Sequence, residues 1–218
     1  MTTGMKNILI TGGSRGIGKA CADLLANGNN IFSPSSKELD VSNQESINNY
    51  LKQIESLDAL VCNAGIYYGS NIEKHSVDEF SKVLDVNLTG SFRMIQSCLP
   101  LFKKGSKIIL MGSVSAYGDA GAPAYAASKA GLIAMMKSLA PELAHDGITI
   151  NTINPGWVRT DMTQTLVSKE SEAMLLGSTL LKRWIEPVEI ANLVEFLISD
   201  KANAICGEVI TIDAGLMV

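Results

Sequence analysis

The strongest constraint on the fold is a regular alternation of short apolar runs with longer segments of helical periodicity. Short apolar runs of this kind are typical of strands buried on both faces. Such an alternation predicts a parallel sheet covered by helices on both sides, in a single α/β domain of the doubly wound, Rossmann-like class. The predicted strands span residues 7–10, 30–32, 59–62, 107–111, 149–153 and 208–212. The predicted helices span residues 17–26, 44–55, 77–101, 125–143, 170–177 and 187–198.

The composition narrows the class of partner and the compartment. With 218 residues, 46% of them hydrophobic, the chain can bury one large core. A net charge of -4 without any cluster of lysine and arginine argues against a nucleic-acid or membrane partner. Cys21, Cys62, Cys98 and Cys206 stand far apart in apolar runs, which is typical of buried reduced thiols. No signal-peptide pattern or membrane-length apolar run is present, so we expect a cytoplasmic protein.

A glycine-rich turn, "TGGSRGIG", joins the first predicted strand to the first predicted helix. Gly12, Gly16 and Gly18 permit a tight turn, a close backbone approach to a phosphate and close packing of the helix on the sheet. An isolated turn of this kind could be a purely structural connection. No Lys-Ser/Thr pair follows it, so it is not a P-loop, and its spacing differs from the usual G-x-G-x-x-G.

A tyrosine and a lysine stand four residues apart in a helical segment. Tyr125 and Lys129, in "AYAASKAG", therefore lie on one face of the helix. A phenol has an ordinary pKa of about 10, and a neighbouring ammonium stabilises its anion. By themselves the two residues could be an ordinary surface pair. Just upstream, "IILMGSVS" predicts a buried strand ending at Ser113, where a hydroxyl could bind a substrate carbonyl; Ser115 is the competing hydroxyl.

Together these motifs resemble the short-chain dehydrogenase/reductase family. The resemblance rests on "TGGSRGIG", "NAG" at 63–65, Asn87, Ser113, "YAASK" and "PGWVRTD", and it runs nearly end to end. The interval of twelve residues from Ser113 to Tyr125 is normal for that family, whereas Ser115 would be too close. In pattern the chain looks most like the bacterial β-ketoacyl-acyl-carrier-protein reductases, through "SKAGLIAMMKSLA" and the C-terminal thirty residues.

The resemblance implies a catalytic tetrad of Asn87, Ser113, Tyr125 and Lys129. Tyr125 would protonate the developing alkoxide, or act as base in the oxidative direction. Lys129 would lower the pKa of Tyr125 and hold the nicotinamide ribose, and Ser113 would orient the substrate oxygen. Asn87 would hold a water that relays protons to Lys129, although an asparagine in a long helix could merely satisfy a local backbone group.

A nicotinamide dinucleotide is the implied cofactor, and no metal is predicted. Residues 63–65 would pass close to the adenine-side ribose, although they could simply make a turn. Val158 would contact the nicotinamide carboxamide and Thr160 the phosphates. The predicted cofactor contacts are Gly12, Ser14, Arg15, Gly16, Ile17, Gly18, Ser33, Asp40, Val41, Asn63, Ala64, Gly65, Tyr125, Lys129, Pro155, Gly156, Val158 and Thr160.

The stretch "IFSPSSKELDVSN" leaves no room for a helix after the second predicted strand. Only residues 33–37 join that strand to "ELDV", whereas a helical crossover takes about ten residues or more. We expect the helix to be missing and a very short third strand to form at residues 39–41. By resemblance Asp40 and Val41 would still border the adenine, in a more open pocket.

The same stretch bears on the choice between NADP and NAD. An NAD enzyme places a carboxylate at the end of the second strand to accept from the ribose 2'-hydroxyl, and here that position is Ser33. Arg15 and residues 35–37 offer donors and positive charge for a 2'-phosphate, which favours NADP. Glu38 is the dissenting residue, because in so short a loop it could reach back to the ribose.

Other features predict a lid and subunit contacts. Residues 161–184 are polar and methionine-rich, which is typical of a mobile substrate lid, although a solvated helical insertion would look the same. The segments 77–101 and 125–143 are apolar on more than one face, and the family resemblance suggests a homodimer or homotetramer. His75 and His145 lack neighbouring ligands at metal-binding spacing.

The function that the sequence predicts is NADP-dependent reduction of a ketone, such as a 3-oxoacyl thioester, to a secondary alcohol by hydride transfer. One alternative is an NAD(P)-dependent dehydrogenase of a secondary alcohol, sugar or polyol. A non-enzymatic alternative is an NADP-sensing regulatory protein, which would need the glycine turn but not the proton-transfer groups.

Overall fold

A computed structural model of the protein describes residues 4–218 and contains a six-stranded parallel sheet. The strand order is β2-β1-β3-β4-β5-β6, so the chain moves outward from β1 in both directions. This arrangement confirms the predicted doubly wound, Rossmann-like class. The strands are β1 (Asn7–Ile10), β2 (Asn30–Phe32), β3 (Leu57–Cys62), β4 (Phe102–Met111), β5 (Thr149–Pro155) and β6 (Val209–Ile212).

Helices cover both faces of the sheet, as the apolar strands require. The α-helices are α1 (Gly16–Leu25), α2 (Gln44–Leu51), α3 (Val77–Leu84), α4 (Gly90–Cys98), α5 (Pro123–His145), α6 (Asp161–Leu166), α7 (Lys169–Gly177) and α8 (Pro187–Leu197). On one face α2, α4 and α5 contribute Ile47, Met94 and Leu132 to a core with Leu110 of β4. On the other face, α1 and α8 pack together over a second core.

The predicted long helix at 77–101 is interrupted. A capping box of Ser76 and Glu79 begins α3, and a π-helical turn, Asp85–Thr89, separates it from α4. A 3-10 turn, Leu99–Leu101, then leads into β4, which begins five residues earlier than predicted. A π-turn changes the angular position of the residues that follow it without ending the helix, and apolar periodicity does not reveal such a change.

The stretch after β2 lacks a helix, as predicted, but the predicted strand at residues 39–41 is wrong. The backbone turns instead: Ser35 O accepts from Glu38 N at 3.1 Å and from Leu39 N at 3.0 Å. Asp40 N then donates to Ser46 Oγ at 3.0 Å. Because these backbone groups are bonded locally, they are not available to the edge of β2. Leu39 and Val41 are still buried in the core. Their hydrophobicity therefore predicted correctly that they are buried, but not which backbone conformation they adopt.

The remaining predictions about burial hold with one exception. Cys21, Cys62 and Cys98 are buried free thiols, whereas Cys206 is half-buried. Burial raises the pKa of Cys21 and Cys98 to about 12, so both stay protonated near neutral pH. Over the described residues, no helix is both long and apolar enough to cross a membrane.

Candidate functional site

The glycine turn between β1 and α1 forms the floor of the site. Gly12 and Gly16 have φ of +65° and +54°, the left-handed region that favours glycine. A Cβ on Gly18 would lie only 2.4 Å from Gly12 O, so α1 can approach the turn only with glycine at that position. Gly18 thus serves helix packing, while Gly12 and Gly16 shape the surface that a phosphate would meet.

Thr11, which the sequence analysis missed, fastens this turn to the "NAG" segment after β3. Its buried hydroxyl oxygen accepts from the backbone N–H groups of Asn63 and Ala64, each at 3.0 Å. In addition, the side chain of Asn63 bonds the glycine turn: its Nδ2 donates to Thr11 O and to Gly12 O, each at 3.1 Å. Thr11 directly follows an apolar strand and precedes the glycines, and this position in the sequence could have indicated a role at the turn. The two loops therefore form one rigid wall.

Asn87 lies in the π-helical turn and fixes the chain that follows "NAG". Its Oδ1 accepts from Ile66 N at 2.8 Å, and its Nδ2 donates to Ile66 O at 3.0 Å and to Ser128 Oγ at 3.1 Å. Because the side-chain amide is fully used by these contacts, it supports the wall of the site and does not line the cavity. The predicted water relay to Lys129 stays a prediction.

Ser113 follows β4, at the carboxyl edge of the sheet, and faces Tyr125 of α5. Its Oγ accepts from Ser115 N at 3.1 Å, and a hydrogen bond from its side chain acts to lower the pKa of Tyr125. Ser115 instead donates its hydroxyl to Asp119 Oδ2 at 2.8 Å. The geometry therefore favours Ser113 over Ser115 as the hydroxyl that a substrate oxygen would meet.

Lys129 is buried one helical turn after Tyr125. Its Nζ donates to Met111 O at 2.6 Å and lies 5.3 Å from the centroid of the Tyr125 ring. Burial disfavours the charged ammonium and lowers the pKa of Lys129 to about 8. Near pH 7 the lysine is therefore still charged, but it loses its proton at a much lower pH than an exposed lysine does.

The pKa of Tyr125 is raised to about 12, chiefly because the phenol is desolvated by burial. The hydrogen bond with Ser113 opposes this shift, and Asp119 and Tyr67 add to it. The resemblance implied a lowered pKa, whereas the net effect here is upward, since burial outweighs the stabilisation of the phenolate. Near neutrality Tyr125 is therefore a proton donor, which suits protonation of an alkoxide.

These groups converge on a cavity of about 490 Å³ that runs along the carboxyl edge of the sheet. The cavity is a groove with the catalytic candidates Ser113, Tyr125 and Lys129 along one part of it. The predicted cofactor contacts that line it are Gly12, Ser14, Arg15, Gly16, Ile17, Asp40, Val41, Asn63, Ala64, Gly65, Tyr125, Lys129, Pro155, Gly156, Val158 and Thr160.

Three predicted site residues lie outside the lining: Gly18, Asn87 and Ser33. The first two support the wall as described above. Ser33 packs on the glycine turn, where a Cβ on Gly13 would lie 2.5 Å from the Cβ of Ser33. Lining residues that the sequence did not single out include Ile66, Lys82, Met111, Gly112, Met162 and Thr163.

At the outer end of the groove, Glu38 is turned away from the cavity. Its carboxylate accepts from Ser35 N at 2.8 Å and from Ser35 Oγ at 2.7 Å, and these bonds lower the pKa of Glu38. Ser36 lines the groove beside Asp40, whose Oδ1 accepts from the backbone and hydroxyl of Ser42. Glu38, whose negative charge could have repelled a 2'-phosphate, therefore uses its carboxylate to stabilise the turn at residues 35–38.

A second cavity of about 290 Å³ adjoins the first between the chain after "NAG" and α6. Its walls include Ile66, Tyr67, Tyr68, Met162 and Leu166, with Arg15 and Asp161 at the side shared with the groove. The Tyr67 ring meets Tyr125 edge to face at 5.1 Å between centroids, so this largely apolar space borders the reacting end of the site.

Comparison with protein families and curated proteins agrees with this geometry. The profile of a family described as enoyl-(acyl carrier protein) reductase matches residues 19–217. The chain is 38% identical to the 3-oxoacyl-[acyl-carrier-protein] reductase FabG of Vibrio cholerae, with 97% of each chain covered. It is 36% identical to the protein of the same name from Salmonella typhimurium, again over 97% of each chain.

Solved structures extend this similarity to the whole fold. A short chain dehydrogenase family protein from Francisella tularensis superposes with a TM-score of 0.89 at 32% identity, covering 97% of this chain and 98% of that one. The chain belongs to the short-chain dehydrogenase/reductase family. A structure described as BdcA in complex with NADPH has the same TM-score at 29% identity, with 97% and 93% of the two chains covered.

Membership of the short-chain dehydrogenase/reductase family confirms the predicted resemblance and the class of chemistry. The protein is an oxidoreductase that acts on a CH-OH or carbonyl group. The groove suits the dinucleotide that such enzymes use, because Gly12 and Gly16 line it with left-handed backbone that carries no side chain. The serine, tyrosine and lysine that the family resemblance singled out, Ser113, Tyr125 and Lys129, line this same groove.

Proposed function

We propose that this protein reduces a ketone to a secondary alcohol with hydride from NADPH. The observation that carries the proposal is the convergence of Ser113, Tyr125 and Lys129 on the same groove as the glycine turn. Bound NADPH would supply the hydride, held along Gly12 and Gly16 at its phosphates and along Pro155 to Thr160 at the nicotinamide end.

The chain's own residues would supply the proton and the orientation. Ser113 donates its hydroxyl proton in a hydrogen bond to the carbonyl oxygen, which can only accept, while Ser113 Oγ itself accepts from Ser115 N. Tyr125 gives its phenolic proton to the same oxygen, and Lys129 holds a nicotinamide ribose hydroxyl next to the phenol. A tyrosine with a raised pKa is protonated at the start of this step, as the reduction requires.

Two observations support NADPH over NADH. Arg15 lines the groove and offers a guanidinium for a 2'-phosphate, while Glu38 is bonded to Ser35 and does not line the groove. A 2'-hydroxyl would therefore lack the carboxylate that NAD enzymes place at the end of the second strand, where this chain has Ser33. The neighbour solved with NADPH, BdcA, is consistent with this preference.

For the substrate, a 3-oxoacyl thioester is the first candidate. FabG relatives are named for 3-oxoacyl-[acyl-carrier-protein] reduction, and the second cavity offers an apolar space beside Tyr125 for an acyl chain. Residues 161–184 act as a lid in this proposal, because α6 forms one wall of that cavity through Met162 and Leu166. The active form is a homodimer or homotetramer in the cytoplasm.

The alternative is an NAD(P)-dependent oxidation of a secondary alcohol, sugar or polyol by the same groups in reverse. The apolar lining of the second cavity, with Ile66, Tyr68 and Leu166, favours an acyl chain over a polyol. An NADP-sensing regulator is disfavoured because such a protein has no need of a buried Tyr125–Lys129 pair beside Ser113.

The deciding experiment measures NADPH oxidation with a panel of a 3-oxoacyl thioester, an enoyl thioester, simple ketones and, in reverse, polyols. We expect the highest kcat/KM for the 3-oxoacyl thioester. Tyr125→Phe should lower kcat by at least about a hundredfold, since general acid catalysis of this kind contributes 10²- to 10⁴-fold. The control is Tyr50→Phe, in α2 and outside the groove. Full activity of Tyr125→Phe would disprove the assigned acid.

A further inference from the structure

Asn154 is a buried asparagine whose side-chain amide makes no hydrogen bond with any residue that the structure describes. It precedes Pro155 at the end of β5 and has 0% exposure, yet neither Nδ2 nor Oδ1 has a partner. Thr152, two residues earlier and equally buried, has an unpaired Oγ1. Buried polar atoms are nearly always satisfied by protein or by ordered water, so the unpaired atoms of these two side chains indicate bound water or a ligand.

These side chains project from the sheet toward α5. Alternate residues of a strand share a face, so Thr152 and Asn154 lie on the face of Ile150. Ile150 belongs to the core that contains Leu132 and Met136 of α5. The unpaired atoms are therefore on the side of the sheet that carries Lys129.

Gly112 leaves room for the amide oxygen of Asn154 and for the methyl group of Thr152. A Cβ on Gly112 would lie 2.0 Å from Asn154 Oδ1 and 2.8 Å from Thr152 Cγ2. The preceding carbonyl, Met111 O, accepts from Lys129 Nζ at 2.6 Å. Peptide geometry places a carbonyl oxygen about 3 Å from the next Cα. The lysine ammonium and the unpaired amide thus contact neighbouring atoms of one peptide unit.

An ammonium has three N–H donors, and Met111 O takes one of those of Lys129. We propose that Thr152 and Asn154 hold a buried water beside Gly112, and that this water accepts a hydrogen bond from Lys129. The water donates to Asn154 Oδ1 and Thr152 Oγ1. Asn154 is then a positioning residue, acting on the site through Lys129 without touching substrate or cofactor.

This water would stabilise the charged form of the lysine. The groups that otherwise face Lys129 are the Tyr125 ring on its own helix and the Met111 carbonyl of β4, and the lowered pKa of Lys129 is due to burial. Removing an acceptor from a buried ammonium should lower its pKa further. The functional consequence rests on the proposed NADPH-dependent reduction, whereas the presence of the water does not.

The direct test is a high-resolution crystal structure of the full chain. We expect a water within hydrogen-bond distance of both Asn154 Oδ1 and Lys129 Nζ. The proposal would be overturned if no water bonded Asn154 Oδ1, or if the Asn154 amide were rotated to bond a protein atom. This outcome does not depend on whether the protein is active.

The functional test compares Asn154→Leu with wild type in the pH dependence of kcat/KM for NADPH. We expect the alkaline midpoint to fall by about one pH unit, because the buried ammonium loses the water that accepts from it. Thr152→Val should shift the midpoint in the same direction by less, and it decides the matter if Asn154→Leu does not fold.

Asn151, on the same strand but the opposite face, provides the matched control. Its amide is fully used, donating to Ile205 O at 2.8 Å and accepting from Glu208 N at 3.0 Å. Asn151→Leu should therefore lower the melting temperature and leave the pH midpoint in place. If wild type binds and oxidises NADPH but all these profiles superimpose, the inference fails and the proposed function stands. If wild type neither binds nor oxidises NADPH, the proposed function fails. The crystal structure alone then decides whether the water is present.

Discussion

At the scale of single residues, Lys129 and Tyr125 have pKa values shifted in opposite directions by the same burial. Burial lowers the pKa of Lys129 to about 8 and raises that of Tyr125 to about 12. Between these values the phenol keeps its proton while the lysine has lost its charge. In the proposed reduction, we therefore expect the alkaline limit of activity to reflect the lysine and not the tyrosine.

The pH dependence follows with a definite sign. As the pH rises through about 8, Lys129 becomes neutral and no longer holds the ribose as a cation, so kcat/KM for NADPH should fall. This parameter reports ionisations of the free enzyme. Lys107→Met, at another buried lysine, should leave the midpoint unchanged, since Lys107 Nζ bonds Asn203 away from the groove. A flat profile from pH 7 to 10 would contradict the assignment.

Arg15 should decide between the two nicotinamide cofactors. A charge-assisted contact with a 2'-phosphate contributes roughly 1.5–3 kcal/mol, so Arg15→Met should raise KM for NADPH by about tenfold or more. KM for NADH should change little in steady-state assays of the same variant. The control is Lys52→Met, because Lys52 is exposed, bonds Asn49 and does not line the groove. An equal rise for both cofactors would show that Arg15 supports the turn and not the phosphate.

At the scale of elements, the contact of α1 with the glycine turn sets the floor of the groove. A methyl group at Gly18 would meet Gly12 O at 2.4 Å and Asn63 Nδ2 at 2.5 Å, atoms of the fastened wall that cannot move independently. Gly18→Ala should therefore destabilise the protein by about 1–3 kcal/mol, as overpacking does. It should also weaken NADPH binding, measured by fluorescence titration.

The matched control is Gly177→Ala, at the end of α7, where nothing lies within 4 Å of an added Cβ. Alanine there should leave NADPH binding unchanged and alter the melting temperature little or upward. If Gly18→Ala bound NADPH as tightly as wild type, the close approach of α1 would not be needed for the site.

At the scale of the whole molecule, cofactor binding should stabilise the fold because the groove crosses several elements of the sheet edge. A ligand at a hundred times its Kd contributes about 2.7 kcal/mol. For a chain of this size that corresponds to a rise in melting temperature of roughly 5–10 °C. In thermal scans NADPH should give a larger rise than NADH at equal concentration. A larger rise with NADH would overturn the proposed preference.

The sequence by itself determined the class of fold and most of the site. Burial on both faces forces apolar strands, and parallel strands place their carboxyl ends at one edge. The glycine turn, the "NAG" segment and Ser113 each follow one of these strands and were therefore expected at that edge, whereas the family resemblance implied that Tyr125 joins them. The absent helix after β2 was likewise fixed by chain length, since residues 33–37 are too few to form a crossover.

Only the tertiary structure decided the features that depend on partners distant in sequence. Residues 39–41 turn instead of forming a strand, because Ser35 and Ser46 take their backbone groups. Thr11 contacts Asn63 and Asn154 packs against Gly112, residues that directly follow neighbouring strands, and burial contributes more than charge to the raised pKa of Tyr125. Periodicity records which residues are buried, whereas hydrogen-bond partners and desolvation depend on which segments the fold brings together.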